Sequence, residues 1–451
     1  MKKSLGFSSI AIAFIFLYVL VTMTNYQKFN IGGRWGPFQY DQFGYYVYLP
    51  AVFIYKDINF EFVKKIPENN PQIFWPTEVG NGKIVNKYPI GIALLLAPFF
   101  FLAHFLSPLF GEPQDGFSLL YRIAPYLSSL FYMLIAFTFQ RRILLNYFSD
   151  KVTSIALIAT ALGTNYYYYT AHELLMAHSV GFCMFTLFIY QTLKWHDDYK
   201  PLRLLELSVL IGLIAVIRPT NIIIAIFFIL FACQNKELLS KKLKAIWNQK
   251  IYLLFGLLLI LIIIFPQLYI WKIQTGKWLF YSYSNERFYW TDPEIWKGLF
   301  SYTKGWFVYT PMMLLAIMGL YFVYRSYRDF FWSTMVFLIV NVYIVLSWWS
   351  WWYGGGFGLR AFIESEALLI FSLAAFIEHF IKAKSKFIRS AVLTLLLLIT
   401  SLNIFQTYQY KRIYLHWAGT TKEMYWQVFG RANIPSSEMD VIIKKAVEPT
   451  R

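Results

Sequence analysis

Residues 89–110 read PIGIALLLAPFFFLAHFLSPLF, an apolar run long enough to cross about 30 Å of hydrocarbon yet punctuated by Pro89, Pro98 and Pro108. Whether this run crosses decides on which side everything after it lies. Further apolar runs occur at 7–25, 118–139, 152–170, 174–193, 203–217, 220–233, 251–271, 306–324, 330–347, 361–380 and 390–408. Suppose the N-terminus is cytoplasmic and 89–110 does not cross. The short inner loops then collect Arg141, Arg142, Lys151, Lys194, Lys200, Arg203, Lys236, Lys241, Lys242, Lys244, Lys250, Arg325, Arg328, Lys382, Lys384, Lys386 and Arg389, seventeen basic residues. The opposing turns at 171–173, 218–219 and 348–360 hold only Arg218 and Arg360. A crossing at 89–110 would put those seventeen outside, against the preference of basic loops for the cytoplasm. We therefore expect a surface helix over 90–107, on or dipping into the outer leaflet.

The expected fold is all-α and polytopic, with about eleven transmembrane helices, the N-terminus inside and the C-terminus outside. Residues 1–408 form one membrane-embedded domain, with a long first outer loop at 26–117 and a short outer tail at 409–451. Composition agrees. Only 14% of the 451 residues are charged, against about a quarter in soluble domains, and 58% are hydrophobic. The net charge of +17 sits mostly in inter-span loops, a topological pattern and not a nucleic-acid footprint. Cys183 and Cys233 lie in apolar runs, so no disulfide framework or zinc spacing exists. Met1-Lys2-Lys3 and the run to Met23 lack a convincing cleavage site and read as an uncleaved first span. Arg218-Pro219-Thr220 breaks 203–233 into a hairpin of two short helices, since one helix of that length would span roughly 45 Å.

Chemistry-bearing residues gather at the outer edges of these runs. Asp41 lies among Tyr40, Phe43, Tyr45 and Tyr46, an acid beside faces suited to a sugar ring; an interfacial aromatic belt reads the same way. Glu173 follows Tyr166–Tyr169 and His172 and precedes His178. An ionisable residue at such a depth suggests a polar cavity, while a helix N-cap acid is the plainer alternative. Lys87 precedes Pro89 and can meet a lipid phosphate or simply snorkel to headgroups. Arg218, and Arg360 after Gly354-Gly355-Gly356-Phe357-Gly358, can hold phosphate oxygens bidentately; Arg360 can equally pair with Glu364 at i,i+4. Glu286 and Arg287 lie among Tyr281, Tyr283, Phe288, Tyr289 and Trp290.

The order of these features resembles the membrane-embedded GT-C glycosyltransferases, closest to the protein-mannosyltransferase and lipid A aminoarabinose-transferase branch. The resemblance is best over 7–235. It rests on the acid Asp41 in a long outer loop, Lys87 and Pro89 before a surface helix, Arg141-Arg142 ending a span, and the second acid Glu173 after Tyr166–Tyr169. Gly358-Leu359-Arg360 before a span is similar too. Asp41-Gln42 stands where the family often has two adjacent acids, and His172 where an Arg-rich stretch often precedes the second acid. The resemblance implies a GT-C-like bundle in a bacterial inner membrane with its site outside. The donor would be a polyprenyl-phosphate sugar and the acceptor a glycan, lipid or protein. Asp41 would be the general base in an inverting displacement, and Glu173 would position the acceptor or hold a divalent metal ion. Lys87, Arg218 and Arg360 would bind the donor phosphate, and Tyr45, Tyr46, His172, His178 and Glu286 the substrates. Competing readings are a lipid-linked oligosaccharide polymerase or ligase, and a transporter or flippase.

Overall fold

The computed structural model describes residues 6–25, 37–65, 76–80 and 83–451; Met1-Lys2-Lys3 and parts of the expected first loop lie outside the described residues. Among the described residues the architecture is helical, apart from a two-stranded antiparallel ribbon that pairs Pro76–Glu78 with Ile84–Asn86. Six helices among the described residues are long and apolar enough to cross a membrane: Phe7–Asn25, Gly91–Phe110, Leu119–Leu145, Lys250–Thr275, Arg328–Ser347 and Lys386–Lys411. The outward faces of two of them leave large apolar side chains uncovered. Leu254, Leu257 and Leu261 on one, and Leu397 and Leu398 on the other, are all more than half exposed. An apolar surface of that extent fits a lipid bilayer and not water.

The other expected spans are shorter or interrupted. The run at 152–170 stops at Gly163, turns through an extended Thr164 and resumes as Tyr166–Ala171. The next helix starts at Ala177, three residues after the expected 174, which leaves Glu173 and His178 on different elements. The run at 203–233 breaks at Arg218, whose backbone is extended between Pro201–Ile217 and a 3-10 turn at Pro219–Ile224. This gives the hairpin read from Arg218-Pro219. The run at 361–380 begins as a 3-10 turn, Arg360–Ser365, before Glu366–Ile381.

The bundle has two distinct ends. At one, Arg141 donates to Ser8 Oγ (2.7 Å) and the Ser8 amide to Asp150 (3.2 Å). At that same end Tyr147 packs on Tyr327, Tyr327 reaches Glu378 (2.8 Å), Ala232 bonds Asp329, and Gln249 reaches the Tyr199 carbonyl (2.6 Å). These contacts unite the loops that carry the seventeen basic residues named above. Asp41, Lys87, Arg218 and Arg360 lie at the opposite end. The helix Gly91–Leu106 packs beside Leu119–Leu145. Its start abuts the Val216–Ile217 backbone, its His104 bonds Tyr121 (2.6 Å) near the start of Leu119–Leu145, and midway the Leu95 carbonyl accepts from Tyr132 (2.8 Å). It therefore runs antiparallel beside the first half of Leu119–Leu145.

Small residues set the closest approaches between helices. A Cβ on Gly319 would fall 2.0 Å from the Ser372 carbonyl oxygen, which belongs to the helix that follows the Arg360 turn. Gly319→Val should therefore cost about 1–3 kcal/mol or more through overpacking. A melting curve of the purified protein in detergent, set against Lys244→Ala at an exposed helical position as a control for handling, would check it; an unchanged midpoint would contradict this packing.

Candidate functional site

A cavity of about 430 Å3 opens at the end opposite the basic loops. It brings together seven of the ten residues singled out in the sequence: Asp41, Tyr45, Lys87, His178, Arg218, Glu286 and Arg360. Three stand outside it. Tyr46 is fully buried one residue round its helix from Tyr45, stacked on Phe38 and donating to the Gly116 carbonyl, so it serves the packing of the first loop. His172 packs on Tyr167 and Tyr168. Glu173 accepts from Tyr168 Oη (2.8 Å), and Arg360 lies close enough to act on it electrostatically.

Asp41 sits in the first turn of Tyr40–Tyr46. Its Oδ2 accepts from the Arg360 guanidinium at 2.7 Å, and its Oδ1 from the Tyr88 hydroxyl at 2.5 Å. Glycine makes this possible. A Cβ on Gly44 would lie 2.3 Å from the Tyr88 ring, so only glycine lets that ring lie against the helix and reach the acid. Asn86 fastens the same contact by donating to the Gly44 carbonyl (2.6 Å). Burial alone would raise the Asp41 pKa; the Arg360 charge, the Tyr88 and Arg360 hydrogen bonds and the Lys87 charge outweigh it and hold the carboxyl below its ordinary value.

Arg360 comes from the glycine-rich turn. Gly354, Gly356 and Gly358 have φ of 67°, 155° and 61°, conformations that L side chains rarely adopt, and they fold the chain back so that the guanidinium meets Asp41. Lys304 braces this turn from behind. It is almost fully buried, and its ammonium donates to the carbonyls of Gly356 and Trp417. Burial, then the charge of Arg360, push its pKa down to about 7, opposed by Glu173. The expected i,i+4 pair of Arg360 with Glu364 does not form. Glu364 instead meets His178 Nδ1 at 3.1 Å and accepts from Asn221 at 3.3 Å.

The remaining charges divide into paired and unpaired. Lys87 is bonded to Glu286 (2.5 Å) and sits 5.2 Å from the Tyr283 ring centre. Arg218 lies over the Tyr353 ring at 5.0 Å and, among the described residues, has no carboxylate within ion-pair distance. Trp348, Trp349, Trp352 and Tyr353 supply broad aromatic walls. The sequence offers Glu364 only as a helical partner of Arg360 and assigns no role to Tyr88, Lys304 or the tryptophans of 348–352. Tyr88 had a signal in its place between Lys87 and Pro89. Lys304 had none, for it reads as an ordinary loop lysine.

The residues do not suit a metal ion. Both Asp41 oxygens are engaged by Arg360 and Tyr88, and no group of three His, Cys, Asp or Glu side chains gathers among the described residues. His172, the residue beside Glu173, is kept neutral by burial and then by the Lys411 charge, which push its pKa to about 3.

The chain matches no family model and no curated protein, so the weight falls on this geometry. The pH dependence of the Asp41–Arg360 pair tests it. A depressed carboxyl contributes stability that is complete above the ordinary Asp value and is lost only as the pH falls through the lowered one. Asp41→Asn should cost about 1–3 kcal/mol at neutral pH. The gap in melting temperature from wild type should hold between about pH 8 and 5 and close only below about pH 4. A gap that closes between pH 7 and 5 would show an Asp41 that is not held down by Arg360.

Proposed function

We propose that the chain transfers a sugar from a polyprenyl-phosphate donor to an acceptor hydroxyl at the outer face of a bacterial inner membrane. The observation that carries the proposal is a single cavity in which a carboxylate engaged by a guanidinium, Asp41 with Arg360, faces a second guanidinium, Arg218, that has no carboxylate partner among the described residues. A half-buried cation without an anion favours an anionic ligand, and guanidinium matches phosphate oxygens. Broad Trp and Tyr faces beside these charges suit the apolar face of a sugar ring. In this reading the fold is a GT-C-like bundle of about eleven spans, N-terminus in the cytoplasm, with Gly91–Leu106 at the outer surface.

The chemistry balances with the residues present. The acceptor oxygen attacks the anomeric carbon, the carbon–oxygen bond to phosphate breaks, and its electron pair departs with the polyprenyl phosphate. Arg218 and Arg360 are already placed to meet that charge. A donor phosphate draws Arg360 away from Asp41, and each hydrogen bond withdrawn makes the carboxylate more basic, so the group that receives the acceptor proton is freed when the donor arrives. Lys87 and Glu286 hold the rim together, and Glu173 supports Arg360 from behind.

One feature favours a transporter as a second reading: the helix broken at Arg218 meets the 3-10 turn at Arg360 across the cavity. Transfer assays separate the two. Purified protein in nanodiscs, given a panel of polyprenyl-phosphate sugars and glycan, lipid or peptide acceptors, should release polyprenyl phosphate. Asp41→Asn should slow release by about 100-fold or more, and Arg218→Ala should raise the donor concentration for half-maximal rate by about tenfold or more. Full turnover in Asp41→Asn would remove Asp41 as the base. No release from any donor, with ligand-dependent transport across the membrane, would select the transporter.

A further inference from the structure

The wall of the cavity nearest Arg218 holds a second constellation that the transfer chemistry above does not use. His178, in the first turn of Ala177–Asp198, and Glu364, in the 3-10 turn after Arg360, are 5% and 3% exposed and meet at 3.1 Å. Glu364 is seated by design of the backbone. A Cβ on Gly181 would lie 2.8 Å from its Cγ, so glycine there lets the acid press against the histidine's own helix. Asn221, one residue past Pro219-Thr220 in the hairpin, donates to the same carboxyl oxygen (3.3 Å) and fixes its orientation. The Tyr169 ring closes the remaining side edge-on at 5.5 Å, and the charges of Arg218 and Arg360 both reach the imidazole.

In the neutral imidazole, a carboxylate that accepts from Nδ1–H leaves Nε2 as a lone pair. His178 lines the cavity, and among the described residues Nε2 has no protein partner. A lone pair flanked by two guanidinium groups cannot face phosphate oxygens, which carry lone pairs of their own. It needs a hydrogen-bond donor from the ligand. We infer that His178, oriented by Glu364 and Asn221, forms a subsite that recognises a substrate hydroxyl next to the phosphate held by Arg218. It thus selects a hydroxylated, sugar-bearing lipid phosphate over the bare lipid phosphate. The inference rests on the lipid-linked-sugar reading of the cavity. His178 is the contacting residue, and Glu364 is a positioning residue that acts through it.

Intrinsic fluorescence gives a direct readout, because Trp348, Trp349 and Trp352 line the same cavity. The purified protein in nanodiscs is titrated with polyprenyl-phosphate glucose, mannose or arabinose and, separately, with polyprenyl phosphate. His178→Phe should weaken the sugar-bearing ligand by about tenfold while leaving polyprenyl phosphate unchanged, the loss expected for one hydrogen bond left unmade. Arg218→Ala should weaken both. Glu364→Gln, which keeps an acceptor oxygen for Nδ1–H, should retain most of the preference, and Glu364→Leu should lose it; a merely structural role would not move the ratio of the two affinities. Equal weakening of both ligands by His178→Phe, or none, overturns the subsite. If wild type binds neither lipid, the lipid-linked-sugar reading itself fails. Titration with methyl glycosides then decides the subsite: binding lost in His178→Phe supports it, and no His178-dependent binding overturns it.

Discussion

The ion pair between Asp41 and Arg360 joins residues 319 positions apart and gathers the cavity end of the bundle around itself. A partly buried pair is worth having only if its desolvation is offset by good geometry and by hydrogen bonds to the remaining lone pairs. Both partners meet that condition. The second oxygen of Asp41 takes the Tyr88 hydroxyl, which reaches it because residue 44 has no side chain. Arg360 arrives on a turn whose glycines adopt left-handed backbone angles, and Lys304 anchors that turn by its carbonyl at Gly356. Lys304 is a second buried cation close to a first, an arrangement that costs free energy and persists because two carbonyl oxygens and the nearby Glu173 compensate it.

The same constraint explains why helices break where they do. The chain departs from α-helix at Thr164, at Arg218 and before Arg360, and the last two breaks border the cavity. Freed backbone groups are tolerated in an apolar bundle only where protein or a cavity satisfies them. Thr164 shows the first solution: its hydroxyl oxygen accepts from the freed Tyr166 amide (3.2 Å), and the hydroxyl in turn meets Glu366 (2.7 Å), 202 residues away. Arg218 shows the second. Its extended backbone forms the tip of a hairpin that opens onto the cavity, and the side chain finds an aromatic ring in place of an anion.

These arrangements were legible to different degrees in the sequence. The outer-edge positions of Asp41, Lys87, Arg218, Glu286 and Arg360 follow from the apolar runs and the basic loops, and the structure draws all five into one cavity. Their pairing was not legible. An i,i+4 partner for Arg360 presumes an α-helix, where four residues bring a side chain nearly full circle; in a 3-10 turn of three residues per turn, Glu364 is rotated well away and faces His178. Tyr46 failed for a similar reason. Successive residues on a helix diverge by about 100°, so Tyr45 lines the cavity while its neighbour packs inward on Phe38. The expected eleven spans rest on hydropathy, which registers apolar runs but not the break at Thr164, whereas Pro219 marks the one at Arg218.

The charge balance of the cavity bears on how the proposed transfer could proceed out of water. With a neutral imidazole, Arg218, Arg360 and Lys87 are matched in number by Asp41, Glu286 and Glu364. The site is neutral overall yet polarised, with a guanidinium at Arg218 that has no carboxylate within ion-pair distance among the described residues. A donor phosphodiester adds a single negative charge. Transfer converts it to a phosphate monoester with one charge more, while the acceptor proton neutralises one carboxylate. The total is unchanged from donor binding to bond exchange, so no charge has to be created or expelled in a medium where isolated charge is costly. Only the location of charge shifts, from Asp41 toward Arg218 and Arg360. A proton lost to bulk water at that moment would leave an extra negative charge behind. In the proposed transfer, a carboxylate that keeps the acceptor proton within the site while Arg360 turns to the phosphate is therefore also what keeps the reaction electrically balanced.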